Sequence, residues 1–220
     1  MDGRKNRGEV GMTSQVVIFG AGGHARVIAS LASGSETLFV VGKASGPGEL
    51  DEAAFFAAPE RFGEARIFIG IGDNTVRAKI FGRVKQAGLT LANCIAPGAF
   101  VAADARLGEG VVICPGAAVM TGAVLGDNVI VNTLSSVDHD GRIGDHSQIA
   151  VGVTLSGGVT MGRSCFIGMK AGIFPGVSLG DRVIVRGGSL VTRSQPDDVM
   201  VGGTPARIVR HLAAPGSAGR

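Results

Sequence analysis

The sequence predicts a small α/β unit followed by an all-β solenoid of the parallel β-helix class. Three observations carry this. From Ile95 to Val191 an aliphatic side chain, counting Met161, returns at every sixth position without a gap. The fifth place of each hexad, from Ala99 through Val111, Ala123 and Val153 to Ser189, holds nothing larger than valine. Residues 16–93 lack that beat, and there short apolar runs alternate with stretches of helical spacing.

Repetition at a fixed short period marks a stacked solenoid, and six is the period of a parallel β-helix. Side chains alternate between the faces of a strand, so a short strand and a tight corner turn one aliphatic and one small residue into a narrow prism. Three such sides make a coil of 18 residues, and the run holds 16 hexads, or a little over five coils. At the spacing of neighbouring strands the column stands about 25 Å tall. Many of the 37 glycines fall at hexad corners, where a residue free to adopt positive φ is needed.

The elements ahead of the solenoid follow in order. Val16–Phe19 reads as a buried strand, Ala25–Leu31 as a helix and Leu38–Val41 as a second strand. Arg66–Ile71 reads as a third strand, and Thr75–Ala87 as a helix with Ile80, Phe81 and Val84 on one side. The order β-α-β-β-α is that of a half-Rossmann-like, nucleotide-sized fold. Between the first strand and helix, Gly20-Ala21-Gly22-Gly23-His24-Ala25 fits G-x-G-x-x-A. Glycines there admit a phosphate, and the helix start offers free N–H donors. The residues after the second strand, Gly42-Lys43, supply no acid for a ribose, and fewer than 90 residues cannot build both halves of a dinucleotide fold. One nucleotide is therefore expected, at Gly22, Gly23 and His24, with His24 either touching phosphate or packing at the helix start.

A second glycine-bearing strand end, Gly70-Ile71-Gly72-Asp73-Asn74 with Arg77 beyond it, should lie beside the first loop at the carboxyl edge of the sheet, where ligands gather. Gly72, Asp73, Asn74 and Arg77 join the expected substrate contacts. Asp73 or Asn74 could instead cap the second helix.

The expected boundaries are a disordered extension over 1–14, a nucleotide-binding unit over 15–93, the solenoid over 94–208 and a flexible tail over 209–220. A hydrophobic content of 45% excludes wholesale disorder. Net charge is +3, with no Trp or Tyr and no basic stripe interleaved with aromatics, which argues against a nucleic-acid surface. Cys94, Cys114 and Cys165 have no C-x-x-C spacing and read as free thiols in a reducing compartment. No run reaches the roughly 18 apolar residues of a membrane span, and no signal-peptide core precedes residue 15, so a cytoplasmic protein without a membrane partner is expected.

Chemistry concentrates at Val137-Asp138-His139-Asp140-Gly141. One coil further on, residue 157 is a glycine, so a bare backbone should stand over the imidazole. Acyl transfer needs a base of near-neutral pKa and an exposed N–H for the oxyanion. A neighbouring carboxylate, Asp140 first and Asp138 second, can fix the ring's tautomer and raise its basicity. A merely solvated polar corner is the alternative.

At these residues the chain resembles the NeuD/PglD-like nucleotide-sugar acetyltransferases, bacterial hexapeptide-repeat enzymes of the left-handed β-helix superfamily. The likeness spans about 16–210 and rests on four segments: Gly20 to His24, Ile71 to Arg77, Asn132 to Asp140, and Gly203-Thr204-Pro205-Ala206-Arg207. It implies a left-handed winding and a homotrimer whose active sites lie between neighbouring solenoids. It also implies His139 as base with Asp140 as its partner, and acetyl-CoA contacts at Gln148, Gly157, Met169 and Gly187, with no metal. The amino-terminal unit would hold the nucleotide sugar. Some members carry His in place of Gln148 or Glu in place of Asp140. Uridine-binding members carry an acidic pair where this chain has Val41 and Gly42, so UDP- and GDP-sugars both remain open.

The resemblance implies acetyl transfer from acetyl-CoA to the 4-amino group of a nucleotide-linked deoxy-amino sugar. The alternatives are O-acetylation of a sugar hydroxyl, a zinc enzyme like the γ-class carbonic anhydrases, and a non-enzymatic solenoid. The zinc reading needs three converging histidines, and the solenoid offers only His139 and His146.

Overall fold

The computed structural model describes residues 15–32 and 36–213. The extension expected over 1–14 lies outside the described residues. Four strands, β1 (Val16–Phe19), β2 (Thr37–Val41), β3 (Glu49–Asp51) and β4 (Arg66–Ile69), form a parallel sheet in the order β3-β2-β1-β4. Three helices accompany it: α1 (Gly23–Leu31), α2 (Glu52–Ala57) and α3 (Asn74–Gln86). The hydrophobic pattern gave no sign of β3 and α2, because three and six residues are too few to express a period. Phe55 of α2 is fully buried, stacked on Phe62 with centroids 4.5 Å apart and edge-on to Phe19 at 4.9 Å.

Alternation along β1 and β4 divides the sheet between two cores. Val17, Phe19, Ile67 and Ile69 join Phe55, Ile80 and Val84 under α2 and α3. Val16, Ile18 and Phe68 face the other way, with Ala25 and Ile28 of α1, onto Cys94, Val112, Cys114 and Ile130 of the solenoid. The α/β unit is thereby docked on one side of the prism through continuous apolar packing.

The solenoid consists of two-residue strands from β5 (Cys94–Ile95) to β21 (Leu190–Val191), stacked into three parallel sheets. Every pairing from β5 to β21 joins residues 18 apart, as in Ser136↔Thr154 and Val137↔Leu155. The sixth-place aliphatics and fifth-place small residues line one core, including Val137, Ile149, Val153, Leu155 and Ile167. At one corner Asp127, Asp145 and Asp181 accept hydrogen bonds from the N–H groups of Glu109, Asp127 and Arg163, each one coil earlier, at 2.8–3.0 Å. Glycine is required beside each such carboxylate: a Cβ on Gly126 would lie 2.2 Å from Asp145 Oδ1 and 2.9 Å from its backbone nitrogen.

After Val191 the interval shortens, so that Ile184 pairs with Met200, and β22 (Val199–Gly203) turns into β23 (Ala206–His211) as an antiparallel hairpin. The expectation of a flexible tail from 209 is corrected here. Met200↔Arg210 and Val199↔His211 pair in the ladder, and Leu212 N donates to Asp198 O at 2.7 Å. Regular backbone pairing ordered a stretch whose composition carried no strand signal. The rest of that tail, residues 214–220, lies outside the described residues.

Candidate active site

The corner after β12 (Ser136–Val137) places Asp140 in the left-handed region at φ 60°, where the coils on either side have Gly122 and Gly158. Aspartate is among the few side chains that visit this region readily. Its Oδ2 lies 2.9 Å from His139 Nδ1. A carboxylate only accepts, so Nδ1 carries the proton and Nε2 keeps its lone pair. That hydrogen bond, ahead of the charge of Asp138, raises the imidazole above its ordinary pKa. Asp138 does a different job, accepting the His139 N–H at 2.8 Å.

Gly157 stands one coil on, with no slip in register between β12 and its partner strand. A Cβ on Gly157 would lie 2.3 Å from His139 Nε2, so only glycine leaves room for the ring. The Gly157 N–H donates to no protein acceptor among the described residues. At the same hexad place Glu109, Asp127 and Arg163 have that N–H capped by an aspartate one coil later; for Gly157 the capping place is Pro175. An open lone pair on a half-exposed imidazole therefore adjoins an open backbone donor.

The expected nucleotide contacts lie elsewhere. Gly22 and Gly23 begin α1 with no side-chain cap, and a Cβ on either would meet nothing within 4 Å, so the helix start is open to an anion. His24 is mostly buried, its Nε2 has no partner, and burial, then the charge of Arg77, lower its pKa to about 4. It is neutral and carries no charge toward a phosphate. Gly70 explains the close seating of α1 on this loop, since a Cβ there would lie 2.5 Å from Ala25 Cα. Gly72, Asp73 and Asn74 line a cavity of about 860 Å³, walled across from them by Phe166, Arg182, Ile184 and Asp198. Asp73 also caps α3, accepting from Val76 N at 2.8 Å.

Arg77 requires a correction. Expected to meet substrate, it is 0% exposed and its donors are engaged by protein oxygens, including His146 O and Asn74 Oδ1 at 2.8 Å. A buried guanidinium must satisfy its N–H groups locally, which leaves none for a ligand. The sequence reading also missed the far wall of the cavity. Its signal was present at outward strand places 18 apart, where Phe166 and Ile184 are too large and apolar for a solvated face. Two carboxylates at the edge of the sheet were missed with β3: Asp51 Oδ1 accepts from Ala44 N and Glu49 Oε2 from Ser45 N, organising the loop after β2.

The profile of the PglD N-terminal domain matches residues 15–84, and that of the hexapeptide repeat of succinyl-transferase matches 158–193. Among solved structures, PerB from Caulobacter crescentus, in complex with CoA and GDP-perosamine, is 37% identical; the match covers 89% of this chain and 97% of PerB, with a TM-score of 0.81. The acetyltransferase domain of PglB from Neisseria gonorrhoeae, solved with acetyl coenzyme A, is 31% identical, covering 90% of this chain and 100% of that one, with a TM-score of 0.83. The chain belongs to the NeuD/PglD-like nucleotide-sugar acetyltransferase family. Its winding is accordingly the left-handed β-helix of that family.

Curated relatives match over shorter stretches. The galactoside O-acetyltransferase of Escherichia coli is 33% identical over 93 residues, 34% of this chain, and the chain spans less than half the length of the curated relatives it matches. The remaining NeuD/PglD-like positions sit on a different part of the prism from His139. Gln148 lies on the sheet beneath the α/β unit, its Oε1 buried without a partner. Met169, 59% exposed, and Gly187 stack one coil apart, Gly187 so close that a Cβ would lie 3.2 Å from Met169 O. His146 is not beside His139 but wedged against Phe81 of α3, its Nδ1 2.9 Å from Asn128 Nδ2. Among the described residues no three His, Cys, Asp or Glu side chains group as metal ligands.

The prism relates these pieces. The α/β unit covers the sheet containing Val112, Ile130 and Gln148, whereas the His139 corner joins the other two sheets. In a three-sided column that corner is the edge opposite the covered side. Within one protomer His139 and the loops 20–24 and 70–74 therefore face away from each other.

Proposed function

We propose that this protein is an acetyl-CoA-dependent N-acetyltransferase acting on the 4-amino group of a nucleotide-linked deoxy-amino sugar, in a cyclic homotrimer. The observation that carries the chemistry is His139 Nε2 against bare Gly157, with Nδ1 held by Asp140. Acetyl-CoA supplies the activated acyl group. His139 removes the proton of the amine as it attacks the thioester carbonyl, the Gly157 N–H takes the oxyanion, and the carbon–sulfur bond breaks to release CoA. Asp140 holds the tautomer throughout and bears against the imidazolium.

The opposite placement of base and nucleotide loops supports the trimer: a site joining them takes His139 from one protomer and loops 20–24 and 70–74 from the next, which a closed ring satisfies three times. Gln148, Met169 and Gly187 are the proposed acetyl-CoA contacts. A guanosine-linked acceptor is favoured over a uridine-linked one by the PerB complex and by the lack of an acidic pair at Val41-Gly42. The galactoside O-acetyltransferase match favours a second reading, a hydroxyl acceptor, but covers only 93 residues.

Purified protein incubated with acetyl-CoA and GDP- or UDP-linked 4-amino sugars should release CoA thiol and yield an N-acetylated sugar by mass spectrometry. His139→Ala should reduce turnover by about 10²- to 10⁴-fold with acetyl-CoA binding intact. Undiminished turnover in that variant rejects the assignment, and acetylation of hydroxyl acceptors alone selects the second reading.

A further inference from the structure

We infer that Arg77 and Asn74 form a positioning clamp that fixes the 71–74 loop against three successive coils of the solenoid, and so sets where the nucleotide sugar is presented. The inference rests on the proposed function for its kinetic consequence but on geometry for its existence. Arg77 directs Nη1 to Ile71 O and Gly72 O at 3.3 and 3.1 Å, which secures the loop. Toward the solenoid its Nε reaches Asn128 O at 3.3 Å and its Nη2 reaches His146 O at 2.8 Å, one coil apart. Nη2 also donates to Asn74 Oδ1 at 2.8 Å, and Asn74 Nδ2 continues to Cys165 O at 2.9 Å, on the coil after.

Among the described residues no carboxylate pairs with this buried cation; carbonyl oxygens and one amide take its place. Burial lowers its pKa to about 10, with Asp73 opposing, so the group is charged at neutral pH. Satisfying acceptors on two sides at once uses the planar fork of five N–H groups, which lysine, with three donors at one point, cannot reproduce. The spacing of the acceptors is that of the coils, so the clamp aligns the loop to the winding itself. Apolar packing between the α/β unit and the solenoid holds the two together but tolerates small slides; directional hydrogen bonds on three levels remove them.

The test uses the full chain with two variants, Arg77→Lys and the milder Asn74→Ala, which keeps the guanidinium if the first fails to fold. Amide exchange across 70–77, without substrate, should quicken in both while the coils beyond Leu179 keep their protection. The KM for the nucleotide sugar should rise on the order of 10- to 100-fold, with a loss in kcat/KM of the size that misplacement by about an ångström can cause. The acetyl-CoA KM and the pH at which His139 titrates should not move. Unchanged exchange at 70–77 overturns the clamp even if no acetyl transfer is detected. A rise in both KM values together, or a lowered melting temperature with wild-type kinetics, overturns its positioning role.

Discussion

At the scale of single residues, the proposed site departs from neighbouring coils at two places of the β-helix corner. At the place of Gly157, Glu109, Asp127 and Arg163 have their N–H capped by an aspartate, and at the place of Asp140 the adjoining coils have Gly122 and Gly158. Here the cap is absent at Gly157 and Asp140 occupies the left-handed place. Gly157→Ala should lower turnover by at least about 10²-fold, because the new methyl collides with Nε2 while the backbone, which has no positive φ at 157, tolerates alanine. An unchanged melting temperature would accompany that loss; full activity would show that Nε2 does not need the space. Asp140→Asn tests the other half. Asp140 raises the His139 pKa, and the base acts only when unprotonated, so the acid limb of kcat/KM should lie above the ordinary histidine pKa of 6.5 in the parent. In the variant that limb should move to lower pH, with a maximal rate reduced by about 10-fold or more as tautomer control is lost. A limb that stays in place assigns it to another group.

At the scale of elements, each two-residue strand is too short to be stable alone, and the stack supplies what each lacks. Corner glycines are part of that stack wherever the next coil approaches closely. Gly126→Ala drives a methyl into Asp145, touching both its carboxylate and its backbone nitrogen. Overpacking of this kind costs about 1–3 kcal/mol, which thermal or denaturant unfolding of the intact chain would register. A loss below a few tenths of a kcal/mol would mean that the corner yields and that the aspartate column is a loose decoration. The α/β unit is built by the reverse logic: longer strands carry their own core with α2 and part of α3, while α1, one sheet face and residues Asn74, Arg77 and Phe81 of α3 meet the solenoid.

At the scale of the whole molecule, the proposed trimeric site, with its base from one protomer and its nucleotide loops from the next, can be tested by complementation. Mixing denatured His139→Ala with a variant disabled at the nucleotide loops and refolding them together should restore activity, since mixed rings contain sites that draw an intact half from each chain. Random assembly in equal amounts makes about a quarter of the sites intact. Light scattering on the same sample should return three chains per particle. No recovery from a mixture that does form mixed rings would place both halves of the site on one chain.

Much of this was written in the chain itself. The hexad beat fixed the coil of 18, and that arithmetic alone put Gly157 over His139, because an uninterrupted period leaves no freedom in register. Local rules likewise marked the glycine-bearing start of α1. Other features are decided by contacts between residues far apart in sequence. Arg77 was expected as a ligand contact because it follows a glycine-bearing strand end at the carboxyl edge of the sheet; only docking on Asn128 and His146 buries it. The helix α2, the strand β3 and the strand β23 have too little periodicity to be read and are held by pairing and packing with distant partners. The cavity wall at Phe166 and Arg182, and the placement of the base on the far edge from the nucleotide loops, arise from which side of the prism the α/β unit covers. Periodicity dictates how a chain winds, whereas the choice of the side to be covered is made by complementary apolar surfaces that meet only once both parts have folded.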